Sequence, residues 1–216
     1  DVARVSAGLS YLDGKTGQSL LLHNVPGTLA DRVLLIGCGR EREMTDRQYR
    51  GIIEHGMRAI SATGASDAVN YLPELNVKGR DYYWKLRQAL EIASHVSYEF
   101  REFKSRKKGA DRSLRRLTLM VPSRRELPVG EQAMRDGLAI SRAVKATRDL
   151  ANRPANVCTP THLANHASCG MWHEQDLLDH VALEERDDPI TQRGSIFQTQ
   201  RGELQLRDAL LQFRVV

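Results

Sequence analysis

The chain has 216 residues, of which 41% are hydrophobic, and a formal net charge of +5 at pH 7. This length and apolar content suffice for one sizeable α/β domain with a smaller appended piece, and they exclude a chain that is disordered throughout. The longest apolar runs are as long as a strand, far short of the roughly 20 residues that a membrane helix needs, so we expect a soluble protein. Three cysteines without CxxC spacing favour reduced thiols and a cytoplasmic location over a disulfide framework.

Four short apolar runs, each bounded by glycine, proline or charge, are predicted to be buried strands. They are Gln18–His23, Val33–Gly37, Ala68–Leu72 and Leu117–Val121. Helical patterns lie between most of them. Strands that alternate with helices predict an α/β fold, in which a mixed or parallel sheet is flanked by helices.

Three helices follow from apolar side chains spaced three and four residues apart. The first begins after Thr45, which forms a capping-box pattern with Gln48, and it ends at Gly64, a residue type typical of helix ends. The second is predicted over Asp81–Phe103 and the third over Glu131–Leu150.

The third predicted helix stops at a segment that contains two prolines and two asparagines within nine residues, namely Asn152, Pro154, Asn156 and Pro160. We therefore divide the chain into three parts. Residues 1–130 form an amino-terminal domain, residues 131–167 form an interdomain helix and linker, and residues 168–216 form an atypical tail. A short helix is expected to begin near Pro160.

The tail combines one amphipathic pattern near Gln175–Glu185 with an acidic cluster and a run rich in glutamine and arginine. Its sparse apolar residues predict a helix at the amphipathic pattern and otherwise disorder, without packing on the domain. An out-of-frame or substituted ending would explain this change of composition.

Two patterns resemble known sites only in part. Gly37–Gly39 follows a predicted strand, as a dinucleotide-binding loop does, but Arg42 stands where the third glycine is required, so a turn is the better interpretation. His173 and Glu174 begin like a zinc-protease helix, but Leu177 occupies the position of the second histidine.

The pair His162 and His166 would share one helix face, but no third ligand lies nearby in the sequence. We therefore predict no catalytic residue and no metal ligand in this chain.

Two runs of sequence carry a family resemblance. They are NVKGRDYYWKLRQALE, from Asn76 to Glu91, and RDLANRPANVCTPTHLA, from Arg148 to Ala164. Both mix glycine, tryptophan, asparagine and proline at fixed places, and both resemble the bacterial leucine aminopeptidase (cytosol aminopeptidase) family, a likeness that covers roughly residues 12–167. The resemblance implies a macro-domain-like amino-terminal domain, here expected to lack its first strand, followed by an interdomain helix.

The resemblance also implies the chemistry of the parent enzyme, which is metal-dependent release of N-terminal amino acids from peptides. Two divalent metals, manganese or zinc, are held in that family by clustered carboxylates and a lysine in glycine-flanked motifs of the catalytic domain. No TFDSGG-like or NTDAEGR-like run occurs in this sequence. We therefore expect a truncated, inactive form without a cofactor of its own, with peptide substrates and the family's hexamer belonging only to the full-length enzyme.

A basic segment offers an alternative function. Residues 101–125 include ten basic residues and only two acidic ones. The leucine aminopeptidase family, which this sequence resembles, includes bacterial DNA-binding regulators. Duplex DNA is therefore a candidate partner, bound through phosphate contacts. The candidate binding residues are Arg106, Lys107, Lys108, Arg112, Arg115 and Arg116. A solvated loop is the plainer interpretation, and a non-catalytic assembly module or a macro-like domain that binds a small ligand also remains open.

Overall fold

The structure, a computed structural model, describes residues 15–25, 28, 30–39, 43–104, 114–169, 180–185 and 210–215. Its strands are β1 (Ser19–His23), β2 (Arg32–Gly37), β3 (Asp67–Asn70), β4 (Arg116–Val121), β5 (His180–Glu185) and β6 (Leu210–Val215). Its helices are α1 (Asp46–Thr63), α2 (Tyr82–Ser97), α3 (Leu127–Asn152) and α4 (Pro160–Cys169). None of these helices is long and apolar enough to cross a membrane.

The six strands form one mixed sheet in the order β1-β2-β6-β3-β4-β5. The pairs β3–β4 and β4–β5 are parallel. Strand β6 lies antiparallel to both β2 and β3, so β2 and β3 run in the same direction on either side of it. The predicted α/β class, a mixed sheet flanked by helices, is confirmed, and all four predicted strands are present with small shifts at their ends.

The largest core lies between the sheet and helices α1, α2 and α3, which contribute to a single hydrophobic cluster. Strand residues alternate between faces, so Leu34 and Ile36 join this cluster while Val33 and Leu35 enter a smaller one on the opposite face. Trp84 is only 9% exposed and packs on the ring of Tyr49 at a centroid distance of 5.6 Å. Trp84 therefore helps to pack α2 against α1.

Helix α1 has the predicted ends. The side chain of Thr45 accepts a hydrogen bond from the Gln48 backbone, and the Gln48 side chain accepts one from the Thr45 backbone, which completes the capping box. Gly64 closes the helix in the left-handed conformation, with φ 65°. The helix therefore begins and ends where local sequence alone placed it.

Helices α2 and α3 differ from their predicted bounds. Helix α2 ends at Ser97, six residues before Phe103, because Tyr98 adopts an extended conformation in which its hydroxyl group contacts α3. Helix α3 begins at Leu127 rather than at Glu131. Its second residue, Pro128, does not prevent this, because a proline is tolerated in the first turn of a helix, where its missing N–H would have no partner.

The tail differs from its prediction in two places. The predicted helix over Gln175–Glu185 is wrong for its described part, because residues 180–185 form β5, in parallel register with β4. Residues 210–215, expected to stay apart from the domain, form β6 within the sheet. Both strands are stabilised by backbone ladders to strands far away in sequence, which local periodicity does not reveal.

Candidate functional site: the arm formed by α3 and α4

Helix α3 belongs to the core only in its first half. Its 26 residues span about 39 Å at 1.5 Å per residue, and its buried residues (Gly130, Ala133, Met134, Gly137 and Ser141) end at Ser141. Beyond that position the described side chains are exposed or half-buried, and Val144 is 47% exposed. We call residues 142–169, which comprise the end of α3, the connector and α4, the arm.

Tyr98 fixes the base of the arm to the end of α2. Its hydroxyl group donates to Asp149 Oδ1 at 2.8 Å and accepts from Asn152 Nδ2 at 3.0 Å. The guanidinium carbon of Arg148 lies 3.8 Å from the centre of the Tyr98 ring. Burial and the bond to Asp149 raise the pKa of Tyr98 above its ordinary value, so the hydroxyl group keeps its donor hydrogen at neutral pH. These contacts set the direction in which α3 leaves the domain.

Arg153 fixes the connector in the same way. Its Nε donates to Glu102 Oε2 at 2.8 Å, and its Nη1 lies 2.7 Å from His162 Nε2. Since arginine only donates, this bond requires His162 to accept at Nε2. One guanidinium group thus joins the segment after α2 to the first turn of α4.

The connector contains a turn that leads directly into α4. The Pro154 carbonyl accepts hydrogen bonds from Val157 N and Cys158 N, each at 2.9 Å. Thr159 then caps α4, because its Oγ1 accepts from the backbone N–H of His162 at 3.2 Å. The described side chains of α4 are exposed or half-buried, and Leu163 is 45% exposed. The arm therefore presents a helix with little of its surface covered by the described residues.

The base of α3 carries a second polar contact, between Tyr83 and Asp136. The Tyr83 hydroxyl group donates to Asp136 Oδ2 at 2.8 Å. Hydrogen bonds from Gln132 and from Tyr83 hold the pKa of Asp136 below its ordinary value, so this carboxylate stays ionised at neutral pH. Sequence reasoning missed the bonds of Tyr83, of Tyr98 and between Arg153 and Glu102, because the paired residues lie more than fifty positions apart and no motif joins them.

Of the six predicted DNA-binding residues, four (Arg106, Lys107, Lys108 and Arg112) lie outside the described residues. Arg115 and Arg116 are adjacent at the start of β4, and both are exposed. Arg116 Nε is 3.9 Å from Asp67 Oδ1, a distance at which an exposed ion pair contributes little. DNA binding through these six residues stays a prediction.

The glycine pattern after β2 has a structural explanation. Gly39 has φ 81°, and a Cβ atom there would lie 2.8 Å from Thr16 Oγ1, so the turn requires glycine. Residues 40–42 lie outside the described ranges, as do His173 and Glu174. The rings of His162 and His166 are 6.3 Å apart. Within the described part of the chain, no three histidine, cysteine or acidic residues are grouped so as to hold a metal ion.

Comparison with known proteins assigns a family to this fold. The profile of the "Cytosol aminopeptidase family, N-terminal domain" matches residues 8–107. Curated relatives with the name "Probable cytosol aminopeptidase" are 53% identical over 156 residues in Tolumonas auensis and 50% identical over 176 residues in Idiomarina loihiensis. The chain carries an amino-terminal domain of the cytosol aminopeptidase family. The resemblance inferred from two short runs is thereby confirmed.

The likeness to cytosol aminopeptidases extends through the arm. The relative in Colwellia psychrerythraea is 44% identical over 193 residues, 89% of this chain, a match too long to omit residues 142–169. The chain spans about a third of the length of these relatives, from 31% in Tolumonas auensis to 38% in Colwellia psychrerythraea. The structure therefore describes one part of the architecture that such an aminopeptidase has.

The fold also resembles that of a solved enzyme. The "Bottromycin maturation enzyme BotP" superposes with a TM-score of 0.57 at 23% identity, over 73% of this chain and 33% of that enzyme. A second structure of BotP, in complex with Mn, gives a TM-score of 0.56, over 73% of this chain and 32% of that enzyme. At this identity the likeness concerns the fold alone.

Proposed function

We propose that this chain supplies the amino-terminal part of a metal-dependent aminopeptidase, and that its arm holds the part of the enzyme that performs hydrolysis. The observation that carries this proposal is the identity of 44–50% to probable cytosol aminopeptidases over matches too long to omit the arm. The reaction would release N-terminal amino acids from peptides. The role of this part is to hold and orient, since an active site gains rate from groups placed rigidly with respect to one another.

The geometry of the arm supports a holding role. A helix that projects from a domain suits this task only if its base is fixed, and the hydrogen bonds of Tyr98 and Arg153 fix it at two points. The outer surface of α4 carries the exposed apolar side chain of Leu163, and covering it with a further polypeptide would lower the free energy.

The metals of the proposed reaction would activate a water molecule and stabilise the charge that develops on the scissile carbonyl group. A BotP structure contains Mn, which supports a metal requirement in enzymes of this architecture. Among the described residues no grouped ligand set fits such an ion. We therefore assign no metal ligand to this part and expect the purified chain alone to have no aminopeptidase activity.

A chimera tests the proposal. Residues 1–169 of this chain replace the matching segment of the Tolumonas auensis relative, and hydrolysis of a chromogenic leucine amide is measured with added manganese. We expect activity close to that of the relative, and loss of activity on chelation. The 216-residue chain assayed alone in parallel should give no turnover above buffer.

Either of two results would contradict the proposal. One is metal-dependent turnover by the chain alone that persists after contaminating peptidases have been removed. The other is a chimera that is folded, by circular dichroism and cooperative unfolding, yet inactive under conditions in which the relative is active.

A further inference from the structure

A groove of about 260 Å³ lies along the outer side of α2, between α1 and the second half of α3. Its apolar lining consists of Ile92 from α2 and of Ile140 and Val144 from α3. Ile140 and Val144 are 37% and 47% exposed, so no described residue covers them. Small-ligand sites begin at about 300 Å³, so a groove of this size fits a ligand no larger than an amino acid.

Arg148 lines one end of this groove and is held in a fixed orientation. Its Nη1 lies 3.2 Å from His95 Nδ1, and its guanidinium group stacks on Tyr98. Arginine only donates, so His95 accepts at Nδ1 and brings no negative charge to the guanidinium group. Arg148 forms an ion pair with no carboxylate among the described residues, and its remaining N–H groups match the two oxygens of a carboxylate.

The same groove is lined by carboxylates nearer to its other end. Helices α2 and α3 run in the same direction, because Tyr83 bonds Asp136 near their starts and Tyr98 bonds Asp149 near their ends. Glu91 therefore lies one helical turn, about 6 Å, before His95. Glu54 of α1 also lines the groove; its Oε1 accepts from Arg58, and its Oε2 bonds no described residue.

Ser141 also lines the groove. It is only 5% exposed, and its hydroxyl group makes no hydrogen bond to any residue that the structure describes. Glu91 Oε2 accepts from Gln88 Nε2 at 3.0 Å, whereas its Oε1 makes no hydrogen bond to a described residue and lies 3.5 Å from Arg87 Nε. A groove that leaves polar atoms unsatisfied beside opposite charges is suited to a small zwitterion with an apolar side chain.

We propose that this groove binds a free apolar amino acid such as leucine. The carboxylate pairs with Arg148, the ammonium group faces Glu54 and Glu91, and the side chain covers Ile140 and Val144. The choice of ligand rests on the proposed function, since an aminopeptidase releases free amino acids. Because the ligand would contact α2 and the end of α3 together, it would stiffen the base of the arm, and the concentration of product would act on the orientation of the arm.

Calorimetric titration of the 216-residue chain tests this proposal. We expect L-leucine to bind at millimolar concentrations, and three analogues to bind at least about tenfold more weakly, since each lacks one recognised feature. Leucinamide lacks the carboxylate, N-acetyl-leucine lacks the ammonium group, and glycine lacks the apolar side chain. This comparison requires no variant and is independent of any effect of mutation on folding.

Two variants locate the site. Arg148→Gln should weaken leucine binding about tenfold or more, whereas Arg135→Gln, an exposed arginine earlier on α3 that does not line the groove, should leave it unchanged. Absence of leucine binding, equal binding of leucine and leucinamide, or unchanged binding by a folded Arg148→Gln variant would each overturn the proposal.

These outcomes are independent of the chimera experiment. Leucine binding to the chain requires no catalysis, so an inactive chimera would refute the proposed function without affecting the proposal that the groove binds leucine. An active chimera together with a chain that does not bind leucine would do the reverse.

Discussion

Tyr49 illustrates how a single side chain organises the core. Its ring is fully buried against Trp84, and its hydroxyl group donates to the Lys85 carbonyl at 2.9 Å, so α1 and α2 are joined at their first turns. Burial raises the pKa of Tyr49 far above its ordinary value of 10.0, because the phenolate would lose its hydration in this apolar site.

We expect the free energy of unfolding to fall as the pH rises above about 10. In that range the unfolded chain releases the Tyr49 proton while the folded chain retains it, so unfolding is coupled to deprotonation. Tyr49→Phe should reduce this slope and cost about 1 kcal/mol at pH 7 for the lost hydrogen bond. Urea unfolding of both proteins across this pH range measures the slope. Identical slopes would show that Tyr49 ionises equally in both states.

The close packing of α3 against α2 depends on a glycine. Gly137 faces α2, where a Cβ atom would lie 3.0 Å from Leu90 Cδ2 and 3.6 Å from Arg87 Cγ. Gly51, in α1, would have nothing within 4 Å of an added Cβ. The two positions share a helical backbone and differ only in what surrounds them.

Opposite effects are therefore expected from these two glycines. Gly51→Ala should stabilise the protein by up to about 1 kcal/mol, since alanine has the higher helix propensity. Gly137→Val should destabilise it by about 1–3 kcal/mol, because the branched side chain forces α2 and α3 apart. Thermal and urea unfolding measure both. A Gly137→Val variant as stable as the original would place α3 further from α2 than the structure does.

At the end of α3 the contacts are polar, and they control orientation more than global stability. Tyr98→Phe removes the bonds to Asp149 and Asn152 and keeps the aromatic ring. We expect faster amide exchange in the last two turns of α3, with no change in the core of α1. Tyr83→Phe, which removes the bond to Asp136 nearer the start of α3, serves as the matched control. Equal protection at the end of α3 in all three proteins would contradict the role given to Tyr98.

For the molecule as a whole, the position of β6 has the largest consequence. It pairs with β2 over six residues and with β3 over three, so the centre of the sheet is completed by the segment that lies farthest along the described chain. The connection between β2 and β3 passes through α1, and the two strands meet only through β6.

Substitution at Gln212, opposite Leu35 in the ladder, tests this arrangement. Gln212→Pro removes a backbone donor from a central strand, and should lower the free energy of unfolding by at least about 1 kcal/mol and increase amide exchange in β2 and β3. Gln212→Thr keeps the backbone donor with a residue that favours strands and should be close to neutral. Equal stability of the two variants would remove β6 from the sheet.

The sequence by itself determined the features that depend on neighbouring residues. The capping box of Thr45 and Gln48, the closing Gly64 and the four apolar strands were placed within a few residues, because caps and periodicity act over one or two turns. The family was likewise readable from two short runs that mix glycine, tryptophan, asparagine and proline.

Only the tertiary structure decided the end of α2, the positions of β5 and β6 in the sheet, the fixed base of the arm and the groove beside Arg148. Each depends on partners distant in sequence: Tyr98 meets Asp149 across 51 positions, and β6 finds its neighbours more than a hundred residues upstream. Backbone ladders and single hydrogen bonds between such segments leave no periodic trace in the sequence, because their free energy arises only after the helices have packed on the sheet.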